Sequence, residues 1–122
     1  MTIENTEIEK TLKKLLQKNV SLQFKNKLFK QGKLILFQQN NYHISLLLHS
    51  SKKGDIKLEV PIPYNVEEWI DDNLVYFDYR LTTLSQRKDE LLQQLKSIKP
   101  LKTSKYYNSI LEIVILPDQV IL

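Results

Sequence analysis

Apolar and polar residues alternate with a period of two over much of the segment between residues 20 and 60. Successive side chains of a β-strand point to opposite faces of a sheet, so this pattern predicts strands that bury one face and expose the other. Short polar segments that favour turns separate the runs. The segment is therefore predicted to be an antiparallel meander. Its strands are expected over residues 20–24, 33–38, 42–48 and 56–60, and pairing can continue through 25–30 around a turn or bulge near Asn26.

The second half of the chain mixes helix and strand signals. The Asn65-x-x-Glu68 pattern resembles a helix N-terminus and predicts a short helix over residues 66–72. A longer helix is predicted over residues 86–98, where leucines recur on one face and Pro100 stops the helix. β-branched and aromatic residues predict two more strands, over residues 74–81 and 110–116.

The N-terminal segment is predicted to be an amphipathic helix over residues 7–18, because Ile8, Leu12 and Leu15 recur at helical spacing. A chain of 122 residues suits one domain, since two domains would each be too small to bury an adequate core. We therefore predict a single α+β domain over residues 1–122. Its mainly antiparallel sheet is expected to have five or six strands, with the N-terminal helix and the second long helix packed on it.

No cluster of side chains in the sequence predicts catalysis. The chain has no cysteine and only two glycines, which excludes thiol chemistry and glycine-rich phosphate loops. His43 and His49 lie on the same side of one predicted strand, roughly 20 Å apart at the usual rise, which is too far to share a metal. Asp55, Lys57 and Glu59 share one strand face, which we interpret as a solvated surface; a magnesium-dependent nuclease site is the alternative. The sequence thus predicts a protein that is not an enzyme and holds no metal or cofactor.

Charge is distributed very unevenly along the chain. Residues 10–54 contain no acidic side chain, whereas residues 55–90 contain nine of the 14 acids. A long basic stretch without acids creates an extended positive potential that attracts phosphate backbones. The ten lysines of this stretch are Lys10, Lys13, Lys14, Lys18, Lys25, Lys27, Lys30, Lys33, Lys52 and Lys53.

Aromatic residues interleave with these lysines and add a second signal. An exposed aromatic ring flanked by lysines on a sheet can hold single-stranded nucleic acid by stacking and charge neutralisation. If the strand continues past Lys25 without a bulge, Lys25, Lys27 and Phe29 share its polar face. We therefore predict a non-catalytic module that binds single-stranded RNA or DNA with little sequence specificity. The predicted contact residues are Lys10, Lys13, Lys14, Lys25, Lys27, Phe29, Lys30, Lys33 and Tyr42.

An ordinary structural explanation exists for the same lysines. Lys10, Lys14 and Lys18 lie opposite the apolar face of the predicted first helix, where any surface helix places its charges. Both arginines of the chain lie outside the basic stretch, although arginine matches phosphate geometry best. The alternative prediction is therefore a protein-interaction or assembly module, which acts as an adaptor or a homo-oligomer.

The C-terminal residues Val120-Ile121-Leu122 bear on that alternative. Three exposed aliphatic side chains would form a patch that monomers tend to avoid, so these residues are predicted either to pack in the core or to contact a second subunit or a protein partner. The N-terminus lacks a signal-peptide pattern, and no apolar run reaches membrane-spanning length. We expect no membrane association and a cytoplasmic location, or a nuclear one if the source is eukaryotic or viral.

Overall fold

Backbone pairing joins seven strands into one antiparallel sheet in the computed structural model, which describes residues 5–80 and 105–122. Within these ranges one α-helix precedes the sheet. In chain order the elements are α1 (Asn5–Leu15), β1 (Asn19–Phe24), β2 (Lys27–Gln39), β3 (His43–Ser50), β4 (Gly54–Pro61), β5 (Asn65–Trp69), the 3-10 helix η1 (Ile70–Asp72), β6 (Leu74–Asp78) and β7 (Ile110–Ile115).

The two edge strands of the sheet, β4 and β5, are consecutive in the chain. The strand order across the sheet is β4-β3-β2-β1-β7-β6-β5, and only residues 62–64 separate the two edges along the chain. A flat row of seven strands would place its edges roughly 29 Å apart. The short connection between β4 and β5 spans at most about 14 Å. The sheet therefore curls until its edges approach each other, and its inner face encloses the core.

The long strand β2 lies where the sheet bends. Its first half pairs with β1 and its second half pairs with β3, so the two neighbours are offset along it. At Gly32 a Cβ atom would lie 2.9 Å from the carbonyl oxygen of His49, closer than side chains pack. Glycine thus permits the close approach of β2 and β3 at the offset. A bulge between Leu34 and Leu36 follows directly and increases the local bend.

The core contains the inward side chains of the strands together with one face of α1. Ile8, Leu12 and Leu15 are at most 2% exposed, because their helical spacing aligns them on that face. Burial of an aliphatic side chain of this size contributes about 1.5–3 kcal/mol, so packing rather than intrinsic helix propensity stabilises this short helix. The strands contribute Val20, Leu22, Leu34, Ile44, Leu48, Val60, Phe77, Leu111 and Ile113 to the same cluster.

The mainly antiparallel sheet, its N-terminal meander and the N-terminal helix are confirmed. The helix ends at Leu15 rather than at residue 18, because Gln17 adopts a left-handed backbone conformation with φ of 65°. The N–H of Gln17 then donates to the carbonyl oxygen of Leu34 at 2.8 Å and leads the chain into β1. The predicted helix over 86–98 lies outside the described residues. In the described part of the chain, α1 and η1 are too short or too polar to cross a bilayer.

The expectation of five or six strands is wrong, because one predicted helix is a strand instead. Residues 65–69 form β5 against β6, and only Ile70–Asp72 forms a turn of 3-10 helix. Glu67 and Glu68, which favour helices, therefore lie in a strand. Pairing with β6 and the contact of Glu68 with α1 outweigh their local preference.

Candidate nucleic-acid interface

The β1–β2 hairpin ends in a tight turn that brings lysine and aromatic side chains together. Lys25 and Asn26 both adopt positive φ values, 55° and 63°, as in the two-residue turns that match the twist of paired strands. A register shift in the pairing with β1 makes Phe29 an extra residue on β2. Because the turn and the bulge interrupt the strand, Lys25, Lys27 and Phe29 do not share one alternating face. They cluster at the end of the sheet instead.

Four aromatic rings form a continuous series from this hairpin into the core. The ring centroids lie 6.2 Å apart for Phe29 and Phe24, 5.1 Å for Phe24 and Tyr106, and 5.5 Å for Tyr106 and Tyr79. Tyr79 is fully buried, and its hydroxyl donates to the carbonyl oxygen of Pro61 at 2.7 Å. Rings at these separations attract one another. The outer ring of Phe29 therefore packs against neighbouring rings that are anchored in the core.

Backbone hydrogen bonds hold Tyr106 against the end of β6. The N–H of Asn108 donates to the carbonyl oxygen of Tyr79 at 3.1 Å, and the N–H of Tyr79 donates to the carbonyl oxygen of Ser109 at 2.9 Å. Ser109 in turn donates to the carbonyl oxygen of Tyr106 through its N–H at 3.1 Å and its hydroxyl at 2.5 Å. Burial raises the pKa of Tyr106 to about 12, so the phenol stays neutral and adds no negative charge.

Lysine ammonium groups lie over the outer rings. Lys105 Nζ is 4.2 Å from the centroid of Phe29, Lys30 Nζ is 5.8 Å from the same ring, and Lys25 Nζ is 5.3 Å from the centroid of Phe24. Cation–π contacts of this kind contribute about 0.5–1 kcal/mol at exposed sites. We define the basic aromatic cluster as Phe24, Lys25, Lys27, Phe29, Lys30, Lys105 and Tyr106.

The cluster lysines and the helix lysines differ in their charge environment. In the part of the chain that the structure describes, no carboxylate forms an ion pair with a lysine of the basic aromatic cluster. On α1, by contrast, Lys13 pairs with Glu9 at 3.2 Å and Lys14 pairs with Glu68 at 2.9 Å, while Lys10 is exposed. The positive charge of α1 is therefore partly neutralised, and the cluster retains its own.

The remaining predicted contact residues lie away from the cluster. Lys33 is exposed in the middle of β2. Tyr42 is 45% exposed in the β2–β3 turn, at the opposite end of β2 from Phe29. The strand between Phe29 and Gln39 alone corresponds to roughly 30 Å. The structure thus brings together the predicted contacts of the β1–β2 hairpin and separates them from Lys33 and Tyr42.

Sequence reasoning missed three members of the cluster, namely Phe24, Lys105 and Tyr106. The latter two lie far from the hairpin along the chain and reach it because β7 pairs with β1, with Leu111 opposite Phe24. The available signal was the Lys105-Tyr106-Tyr107 run, which repeats the combination of lysine and aromatic residues. Only the long-range pairing places this run beside the hairpin.

Histidine–carboxylate pairs lie on the outer face of β3 and β4. His49 Nδ1 is 2.9 Å from Asp55 Oδ1, and His43 Nδ1 is 3.7 Å from Glu59 Oε1. The rise along β3 separates the two pairs by about 20 Å. Asp55, Lys57 and Glu59 are exposed on this face, in agreement with a solvated strand surface. Among the described residues no group of three potential metal ligands occurs.

The C-terminal segment passes the start of β1 and reaches the β3–β4 turn. The side-chain amide of Asn19 donates to the carbonyl oxygen of Val120 at 2.7 Å. Ser51 donates to the backbone oxygen of Leu122 through its N–H and its hydroxyl, both at 2.5 Å. Ile121 is 81% exposed, whereas Leu122 is half-buried. The Ile121 side chain is thus outside the core, and polar contacts hold the segment in place.

No protein-family model, characterised protein or solved structure matches this chain. The geometry of the basic aromatic cluster is therefore the main guide to function.

Proposed function

We propose that this chain is a non-catalytic module that binds single-stranded RNA or DNA through the basic aromatic cluster. The observation that carries the proposal is the position of the Lys30 and Lys105 ammonium groups over the half-buried ring of Phe29. Cations and an accessible ring on one surface suit a ligand that combines a chain of phosphates with flat bases.

Two interactions would act together in such a complex. Each lysine that contacts a phosphate releases condensed counterions, which favours binding at low salt. Stacking of a base on an aromatic side chain contributes about 1–3 kcal/mol, more than the roughly 0.5–1 kcal/mol of an exposed cation–π contact. Ammonium groups and ring faces do not read the edges of bases, so we expect little sequence specificity.

Fluorescence anisotropy with a labelled single strand at about 50 mM salt tests the proposal, and we expect micromolar or tighter binding. The Lys27→Glu/Lys30→Glu double variant should bind at least about tenfold more weakly, since it replaces two phosphate contacts with repulsion. The Lys52→Glu/Lys53→Glu double variant is the matched control, because it makes the same change of charge in the exposed β3–β4 turn. Absence of binding, or an equal loss in both double variants, would contradict the proposal.

Assembly with another copy of the chain or with a protein partner is a second candidate function. It is favoured by the C-terminal segment, where Ile121 is 81% exposed and Val120 is 38% exposed although hydrogen bonds hold the backbone in place. Ordered aliphatic side chains that remain on a surface are typical of interaction sites.

A further inference from the structure

We infer that the basic aromatic cluster takes a short unpaired stretch of nucleic acid, in which one base stacks on Phe29 in place of the Lys105 ammonium group and about four phosphates contact the surrounding lysines. This inference rests on the proposed function and adds the form of the ligand. The ligand must offer an unpaired base, and the site contacts only about four of its phosphates.

Phe29 is the ring of the cluster best placed to receive a base. Tyr106 is 3% exposed, whereas Phe24 and Phe29 are both half-buried. Phe29 differs from Phe24 because two ammonium groups, those of Lys30 and Lys105, lie over it, and only that of Lys25 lies over Phe24. The Phe29 centroid lies 6.2 Å from that of Phe24 and 6.4 Å from that of Tyr106, so two neighbours support the ring. One supported ring with an accessible face holds one base.

Lys105 occupies that face when no ligand is bound. Its Nζ lies 4.2 Å from the Phe29 centroid, closer than any other lysine–ring contact among the described residues. The side chain is exposed and forms no ion pair with a described carboxylate, so the ammonium group can leave Phe29 without breaking an ion pair. Because base stacking is the stronger interaction, a base displaces the ammonium group, which then contacts an adjoining phosphate. A base inside a duplex has both faces covered by its neighbours and cannot make this exchange.

The number of phosphates follows from the four lysines of the basic aromatic cluster, which are Lys25, Lys27, Lys30 and Lys105. Each phosphate that a protein neutralises in a single strand adds about −0.7 to the slope of log K against log salt. Four contacts predict a slope of about −3, whereas use of all ten lysines of the basic stretch predicts about −7. The slope therefore distinguishes a compact footprint from one that covers the whole basic stretch.

Anisotropy titrations of the wild-type chain with two ligands test the inference: a single strand of about ten nucleotides, and the same strand with abasic sites throughout. We expect the abasic strand to bind roughly 5- to 150-fold more weakly, with a salt slope of about −3 for the base-bearing strand and about −2 for the abasic strand, on which Lys105 stays over Phe29. Phe29→Leu should lower the affinity for the base-bearing strand only, so that the two strands bind equally well. Phe29→Tyr should preserve the difference in affinity. Lys105→Gln should make the slope for the base-bearing strand shallower by about 0.7 and leave the slope for the abasic strand unchanged.

The possible results separate the inference from the proposed function. If neither strand binds, the proposed function itself is wrong. If the wild-type chain binds both strands equally, nucleic-acid binding stands and the stacking of a base on Phe29 is overturned. A slope near −7 would likewise overturn the short footprint. The comparison of the two strands uses the unaltered chain, so it holds even if a substitution at Phe29 disturbs the fold.

Discussion

Replacement of Glu68 by alanine should destabilise the fold by about 1–4 kcal/mol, because this side chain joins the edge strand β5 to α1. Thr11 Oγ1 donates to one carboxylate oxygen of Glu68 at 2.5 Å, and Lys14 Nζ donates to the other at 2.9 Å. Thr11 is 4% exposed, so the loss of its partner leaves a nearly buried hydroxyl unsatisfied at a cost of about 1–3 kcal/mol. The Lys14 side chain is 59% exposed, and its screened ion pair adds at most about 1 kcal/mol.

The same contact predicts a dependence on pH. Hydrogen bonds from Thr11 and then from Lys14 lower the pKa of Glu68, while partial burial opposes them. A carboxyl group whose pKa is lower in the folded state contributes stability above its unfolded pKa and loses it as the pH falls through the folded pKa. Glu68→Gln keeps an oxygen for Thr11 but cannot ionise. We expect the free energy of unfolding of this variant to be about 1 kcal/mol lower than that of wild type near neutral pH. On acidification this free energy should fall less in the variant than in wild type.

Urea unfolding followed by circular dichroism, at neutral pH and down an acid series, measures both effects. Glu67→Ala is the matched control, because the neighbouring carboxylate is exposed and accepts the indole N–H of Trp69 at 3.2 Å. The control should change the free energy of unfolding by less than about 0.5 kcal/mol. If Glu68→Ala and Glu67→Ala prove equally stable, the contact between β5 and α1 contributes nothing and the reasoning fails.

Gly32→Ala should destabilise the fold by about 1–3 kcal/mol in urea unfolding, because its Cβ would lie 2.9 Å from the carbonyl oxygen of His49. Gly54→Ala, with φ of 74° and no atom within 4 Å of the added Cβ, should lose only about 1 kcal/mol from backbone strain, and a larger loss there would contradict this account. Ile121→Asp should leave the free energy of unfolding within about 0.5 kcal/mol, since the side chain is 81% exposed. If this side chain joins copies of the chain, the same substitution lowers the mean mass in light scattering; an unchanged mass argues against that role.

Local sequence pattern predicts those parts of the fold in which each strand has one buried and one exposed face. The strands β3 and β4 fit this description, whereas β1 was identified from the same alternation although its polar residue Ser21 is buried as well. β5 could not, because Asn65-x-x-Glu68 is also a helix-start pattern, and what decides the outcome is distant in the chain. Glu68 finds its partners Thr11 and Lys14 on α1, and no local pattern reports that contact.

The candidate site was predictable to the extent that it is built from one hairpin. Lys25, Lys27 and Lys30 are close in sequence, so their clustering follows from any tight turn between β1 and β2. The position of Lys105 beside the hairpin depends on the pairing of β7 with β1, which composition and periodicity do not determine. Neutralisation of Lys14 by Glu68 is equally invisible in the sequence, so the basic stretch overstates how far the positive surface extends.

The central position of β7 also has consequences for the folding of the chain. Among the described strands β7 is the last in sequence, yet it lies between β1 and β6, with Val20 opposite Ile115. Pairing across so long a segment closes a large loop, and sheets dominated by such pairs fold in milliseconds to seconds rather than microseconds. Until β7 docks, β1 and β6 each present an unpaired edge beside apolar side chains, which is the type of edge that joins other chains. Newly made or partly unfolded molecules should therefore aggregate most readily before this final pairing forms.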